Sequence, residues 1–341
     1  MPRTARPSPR PRPGARPAVA LTAGLAALLL AGCTAGSGTD GGGKGFAGAL
    51  PGRDRPAATP TPTPTPTPTG PYVALGDSYT AGLKIAPQTG EPRGCSRSSV
   101  NYPSLVAKEL GLGPGQFRDV SCSGAVTGDL TGPQRTDGGV NPAQLDALTS
   151  ATRLVTLGIG GNDAGFADVL TECAKENLVD AVKGLIGDGR SDSPCRDHYV
   201  SGGTDRIRGK VDAAGDRLGQ ALQEIRRRSP QARVYVVGYP ALLPADPAGC
   251  APVLGRGLAG ADLGFLTEEE QQLNGMLRKR AEAAGAVFVD AAAPSAGHDM
   301  CAGEAARWIE PPFPAPGLAP VHPNAKGQQA MAAAVLKAVR G

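Results

Sequence analysis

Four short runs in this chain hold residue types that could do acyl chemistry. Gly76-Asp77-Ser78 follows one apolar stretch and Cys122-Ser123-Gly124 follows a second. Gly158-Ile159-Gly160-Gly161-Asn162-Asp163 follows a third, and Val321-His322-Pro323-Asn324 precedes a helical pattern near the C-terminus. Acyl transfer needs a nucleophile, a base to take its proton and preorganised donors for the oxyanion. Ser78 supplies a hydroxyl, which is a poor nucleophile until a base acts on it. The bases on offer are three histidines: His198, His298 and His322. His198 sits in a polar stretch beside Cys195. His298 lies just before Cys301, where a structural or substrate-facing role suits it. His322 stands immediately ahead of a helix and is the expected base. Oxyanion donors are expected from the backbone N–H of Ser78, the backbone N–H of Gly124 and the side-chain amide of Asn162.

These runs can meet only if a fold brings them to one edge. Five apolar stretches rich in β-branched residues read as buried strands: 72–75, 117–121, 153–157, 233–237 and 287–290. Between them Ile207, Val211, Leu218, Leu222 and Ile225 recur at helical spacing. Thr267 with Glu270 reads as a capping box ahead of Leu273, Met276 and Leu277. A last helix should begin near Asn324 and bury Met331, Val335 and Val339. Strands alternating with helices imply a parallel sheet covered on both faces. The expectation is an α/β protein: a flavodoxin-like, three-layer α/β/α sandwich with a five-stranded parallel sheet. Long loops are expected around 80–100, 164–203 and 240–265. In such sheets ligands bind beyond the carboxyl ends of the strands, where the first three chemical runs fall.

Residues 1–70 do not read as part of this domain. Five arginines and no acid in residues 1–17 precede an apolar run, 18–32, that ends at Cys33. That order is an export signal, and the run is shorter than the roughly 20 residues a transmembrane helix needs. Leu30-Ala31-Gly32-Cys33 resembles the bacterial lipobox, which implies cleavage before Cys33 and its lipidation, hence a membrane anchor. Residues 34–70 are rich in Gly, Thr and Pro and end in a Thr-Pro tract, a semi-rigid spacer or a passive stalk. Residues 71–341 suffice for one α/β domain. Setting aside the leader's five arginines from 35 Lys and Arg leaves 30 basic residues against 31 acidic ones, so no basic footprint for nucleic acid survives.

Besides Cys33 there are six cysteines, with no Cys-x-x-Cys spacing to suggest zinc. An exported chain with an even number reads as three disulfides. Pairing in chain order, Cys95–Cys122, Cys173–Cys195 and Cys250–Cys301, closes the most local loops.

The Ser, Gly, Asn and His runs, taken in order, resemble the blocks of the GDSL, or SGNH, hydrolase family across essentially all of 71–341. The resemblance implies Ser78 as nucleophile, Gly124 and Asn162 in the oxyanion hole and His322 as base. It further implies carboxylic ester hydrolysis through an acyl-enzyme, with no cofactor. Two positions depart from the pattern. Tyr79 stands where the family name has Leu. Ala319 stands where the block Asp-x-x-His-Pro has its acid. The chain is similar to a secreted, disulfide-rich bacterial branch in which a main-chain carbonyl orients the imidazole. A Ser78–His322 dyad is therefore expected, with the Ala319 carbonyl accepting from His322, and Asp299 or Asp290 as alternative acids.

The preferred substrate is an acyl ester, of a lipid or a smaller molecule, turned over by a monomer. Phe166, Val169 and Leu170 either line an acyl pocket or pack a short helix. The same chemistry would serve polysaccharide O-deacetylation, and the scaffold could also be a catalytically silent surface binding module. Gly255-Arg256-Gly257-Leu258-Ala259-Gly260 matches a dinucleotide fingerprint in spacing but follows a Pro/Cys loop instead of a strand, and no Gly-x-Ser-x-Gly elbow occurs.

Overall fold

The computed structural model describes residues 70–341 except 188 and 255–259. The leader, Cys33, the spacer and most of the Gly255–Gly260 run lie outside the described residues. Five parallel strands form the central sheet: β1 (Tyr72–Gly76), β2 (Phe117–Asp119), β3 (Leu154–Gly158), β4 (Arg233–Val237) and β5 (Val287–Val289). Their order is β5-β4-β3-β1-β2. That is the flavodoxin-like order, whose switch point lies between β1 and β3.

Alternation along the strands sorts the core into two layers. Val73, Leu75, Val155, Leu157, Val234 and Val236 face one side and pack against α6 (Arg206–Arg228) and α8 (Gly260–Ala283). Tyr72, Ala74, Leu154, Tyr235 and Val237 face the other side and meet α2 (Tyr102–Glu109) and α9 (Ala325–Arg340). With period-2 side chains and helices on both faces, every central strand position is committed to one layer or the other. The three-layer sandwich is therefore present as expected. Two strands end earlier than the apolar pattern suggests. Asp119 accepts from the N–H and hydroxyl of Ser121, and Asp290 accepts from the N–H groups of Ala292 and Ala293. Such local bonds offer the backbone an alternative to the ladder and stop the strand.

The remaining helices are α1 (Ser78–Ala81), α3 (Gly161–Ala164), α4 (Phe166–Leu185), α5 (Pro194–Tyr199) and α7 (Ala251–Leu254). Helix α4 corrects the expected loop over 164–203. Its first eighteen residues contain no Gly or Pro and many good helix formers. Its buried stripe includes Asn177 and Asp180, which hides the apolar period from a sequence scan. The expected capping box is also corrected, because α8 already starts at Gly260, ahead of Thr267. Thr267 instead donates from its hydroxyl to Leu263 O, and Glu270 accepts from the N–H of Leu242. Asp262 anchors the early turn by accepting from Asn177 Nδ2 and from the N–H groups of Cys195 and Arg196.

The cysteines pair as Cys95–Cys122, Cys173–Cys195 and Cys250–Cys301, with Cα–Cα distances of 4.1, 4.6 and 5.1 Å. Cross-links of this kind belong to a protein matured in an oxidising compartment outside the cytoplasm. Cys173–Cys195 staples α4 to α5. Among the described residues no helix is long and apolar enough to cross a membrane.

Candidate active site

The turn after β1 is built around a glycine that nothing else can replace. Gly76 has φ +150°, and a Cβ there would lie 2.3 Å from Thr80 Oγ1 and 2.4 Å from Gly158 O. The buried Gln144 side chain clamps the same residue, accepting from Gly76 N at 2.7 Å and donating to Gly76 O at 2.9 Å. Asp77 then caps α1, its Oδ1 accepting from Tyr79 N at 2.9 Å. Ser78 follows as the first helical residue, where a backbone N–H has no intrahelical acceptor.

His322 comes from the other end of the chain and meets Ser78 there. Ser78 Oγ lies 2.8 Å from His322 Nε2. The loop carrying His322 is fixed on both sides. Val321 N donates to Glu310 O, and Glu310 N donates to His322 O. Asn324 caps α9 and also donates from Nδ2 to Glu310 Oε1.

The second ring nitrogen corrects the sequence expectation. His322 Nδ1 donates to the carbonyl of Pro320 at 2.6 Å, not to that of Ala319. Val321 has φ +57°, a left-handed turn that folds Pro320 O back under the ring. A branched residue rarely adopts this conformation, so the turn is imposed by the contacts on either side. Because a carbonyl can only accept, Nδ1 carries the proton and Nε2 presents its lone pair to the serine hydroxyl. Neither alternative acid takes this place. Asp290 is engaged by Ala292, Ala293 and Arg278, and Asp299 accepts from Cys301 N. Burial pushes His322 below the usual imidazole range, partly offset by the bond to Pro320 O, with Lys84 lowering it further.

Tyr79, at the position that departs from the motif, holds this frame together. Its hydroxyl donates to Val321 O at 2.5 Å. Its ring lies 4.8 Å from the His322 ring and meets Tyr239 edge-on at 5.0 Å. Tyr239, just past β4, donates its hydroxyl to Asp77 Oδ2 and accepts from Gly161 N at 2.8 Å. Asp77 is fully buried, and loss of solvent pushes its carboxyl up to about 7 despite the hydrogen bonds from Tyr239 and Tyr79. Sequence reasoning missed Tyr239 and Pro320. Tyr239 was findable, since it follows a strand end, whereas Pro320 depends on a backbone turn without a compositional signal.

After β3, α3 is a single turn whose N-cap Gly160 has φ +120° and whose C-cap Gly165 has φ +71°. Asn162 Nδ2 donates to Ala125 O at 2.9 Å, which orients the amide and leaves its second hydrogen for a ligand. Asp163 locks that turn by accepting from Thr127 and Arg217. Gly124 lies in the exposed turn after β2 with φ +79°, tied to the β1 end by the bond from Cys122 N to Gly76 O. Among the described hydrogen bonds its N–H donates to none.

Ser78, Asn162 and His322 share one cavity of about 400 Å³; Gly124 is not among its lining residues. The walls are apolar, with Phe166, Leu170, Leu242, Leu243, Leu273 and Met300 prominent. Val169 does not line it and is fully buried instead. Glu270 reaches the cavity from α8, and burial pushes its carboxyl up to about 8. The other histidines lie elsewhere. His298 stacks on Trp308 at 3.9 Å, and His198 pairs with Glu176 at 3.3 Å. A serine hydroxyl bonded to a neutral imidazole, beside spare N–H donors and an apolar cavity, is equipped to attack an acyl carbon.

Known proteins resemble this chain in sequence and fold. Residues 74–330 match the model of the GDSL-like Lipase/Acylhydrolase family. Lipase 2 of Streptomyces coelicolor is 40% identical over 262 residues, covering 76% of this chain and 83% of that one. The structure of phospholipase A1 from Streptomyces albidoflavus superposes with a TM-score of 0.62 at 30% identity, over 79% of this chain and 98% of that one. An extracellular lipase from Streptomyces rimosus gives 0.59 at 31% identity, over the same shares. Sequence, fold and site geometry converge: the chain belongs to the GDSL-like lipase/acylhydrolase family and is a carboxylic ester hydrolase.

Proposed function

We propose that this hydrolase cleaves acyl esters of lipids through a Ser78 acyl-enzyme, working as a Ser78–His322 dyad. The 2.8 Å contact between Ser78 Oγ and His322 Nε2, at the wall of an apolar cavity, carries the reading. His322 takes the hydroxyl proton as Ser78 attacks the ester carbonyl, then returns it to the leaving alcohol. A water, deprotonated by the same Nε2, then attacks the acyl carbon; the bond to Ser78 Oγ breaks, the proton returns from Nε2 to Oγ, and the acid leaves. Ser78 N–H, the Asn162 amide and Gly124 N–H receive the oxyanion, each donor contributing about 3–4 kcal/mol in sites of this kind. The Pro320 carbonyl fixes the tautomer in place of the missing acid at Ala319.

The apolar walls favour a fatty acyl chain over the single acetyl group of a decorated polysaccharide. The nucleophile, the base and the cavity walls are all supplied by this one chain, and we take the catalytic unit to be a monomer. Cys33 would hold that monomer to the outer face of the membrane through its lipid.

The test combines a fluorophosphonate probe with a p-nitrophenyl ester series from acetate to palmitate. The wild type should label stoichiometrically and favour medium to long chains, and Ser78→Ala should do neither. Turnover confined to acetate, with acetyl release from acetylated xylan, would overturn the lipid reading. Absence of labelling would overturn the nucleophile.

A further inference from the structure

Helix α4 leaves the site with an apolar face that no described residue covers. Near its start, Phe166, Ala167, Leu170 and Ala174 line the cavity. Steps of three and four residues keep a helical face in line, so the same stripe continues through Leu178, Val182 and Leu185. Past the cavity these side chains stand in solvent: Leu178 is 65% exposed, Val182 51% and Leu185 85%. Ile186, just beyond the helix, is 71% exposed, and Phe313 on the cavity wall is 90% exposed.

The helix does not need this face for its own packing. Its opposite stripe, Val169, Cys173, Asn177 and Asp180, is buried, and Cys173 is cross-linked to Cys195. Large apolar side chains gathered on one exposed ridge mark a binding surface.

We propose that the C-terminal half of α4, with Phe313 beside the cavity, is a lipid-binding surface that enters the acyl layer of a bilayer and feeds a chain to Ser78. The proposal rests on the reading of the cavity as an acyl site. Continuity selects the occupant. One helical face is both cavity wall and exposed ridge, so a chain drawn from the layer meets apolar side chains all the way to the serine. A protein partner or a second copy of this chain seated on the ridge would make no use of its continuity with the acyl cavity. The stripe from Leu178 through Val182 to Leu185 carries no charge, which suits a neutral or zwitterionic lipid. An amphipathic helix of this kind lies in the plane of the interface with its apolar face buried.

The experiment uses the full chain with Cys33→Ser, so that no covalent lipid contributes, and with Ser78→Ala, so that vesicles survive. Cosedimentation with phosphatidylcholine vesicles is compared between this protein and the same protein carrying Leu178→Glu, Val182→Glu and Leu185→Glu. The triple change should lower partitioning roughly tenfold or more. With Ser78 restored, hydrolysis of soluble p-nitrophenyl acetate should be unchanged, which also reports that the variant is folded. Leu185→Glu alone, at the most exposed site, is the second variant should the triple one fail to fold, and it should lower partitioning by a smaller factor. Equal partitioning of parent and variants, or no partitioning of the parent, overturns the proposal. So does a parent that self-associates through this face, as read by sedimentation velocity. Loss of p-nitrophenyl acetate hydrolysis by the Ser78 parent would instead strike the catalytic reading, since partitioning is measured without Ser78.

Discussion

Tyr79→Phe isolates one hydrogen bond in the frame around His322. The substitution keeps the ring against His322 and Tyr239, at 4.8 and 5.0 Å, and removes only the hydroxyl that donates to Val321 O. Val321 is the left-handed residue that turns Pro320 O under the imidazole. A hydrogen bond of this type contributes about 0.5–1.5 kcal/mol net. If most of that is expressed as positioning of His322, kcat falls by about three- to tenfold, because 1.36 kcal/mol is a factor of ten in rate. KM for a soluble p-nitrophenyl ester should barely move, since the ring still occupies its place on the cavity wall. Tyr79→Leu, which restores the motif letter, also loses the ring contacts, worth about 0.5–1.5 kcal/mol more. It should therefore be slower than Tyr79→Phe. The assay is kcat and KM across the three proteins, with thermal midpoints measured alongside. An unchanged kcat in Tyr79→Phe, or an equal loss in kcat for both variants, would refute the reasoning.

Other outcomes follow from the same contacts. Gly76→Ala should destabilise the fold by about 3 kcal/mol or more, since its Cβ would meet a backbone oxygen at 2.4 Å, and urea denaturation reads this directly. Glu270 has a folded pKa raised to about 8, so the folded state holds a proton that the unfolded state releases near 4.5. Its contribution to stability is thus present at low pH and is lost at up to about 1.4 kcal/mol per unit as pH rises from 4.5 toward 8. Glu270→Gln should flatten that slope in denaturation curves taken from pH 5 to pH 8. His322 is pushed below the ordinary imidazole pKa, so the acid limb of kcat/KM should fall below about pH 6.5; a limb above that value would contradict the buried, neutral base.

The legible parts of this protein were those set by local pattern. Apolar β-branched runs located all five central strands, and the Asn324 cap marked the start of α9. The strand-end positions of Ser78 and Asn162 followed from the parallel sheet itself. What escaped depends on contacts distant in sequence or on backbone torsion. Helix α4 was hidden because the buried Asn177 and Asp180 interrupt its apolar stripe, and Asp262 on α8 satisfies Asn177 from 85 residues away. Thr267 and Glu270 have the spacing of a cap, yet their partners lie in the preceding turn and in the loop at Leu242. Tyr79 looks like a tolerated variation in the motif until Val321, 242 residues on, is placed against its hydroxyl.

The absent acid at Ala319 has a definite chemical consequence. A buried carboxylate beside the imidazole would hold its pKa up and stabilise the imidazolium formed during attack. A carbonyl carries no net charge, so it fixes the tautomer but offsets only part of the desolvation that lowers His322. The buried carboxyl of Asp77 does not take that place at the ring: its oxygens face Tyr79 N and the Tyr239 hydroxyl, and Pro320 O occupies the Nδ1 side of His322. In the proposed dyad, then, the site depends on geometry where a triad depends on charge. Pro320 O, the left-handed turn at Val321 and the Tyr79 hydroxyl hold one ring orientation, and the proposed mechanism leaves a larger share of the transition-state stabilisation to the oxyanion donors. Tyr79 fits that division: with a carbonyl at Nδ1 in place of a carboxylate, its hydroxyl ties down Val321 and its ring lies against the imidazole, so the chain around the ring holds it.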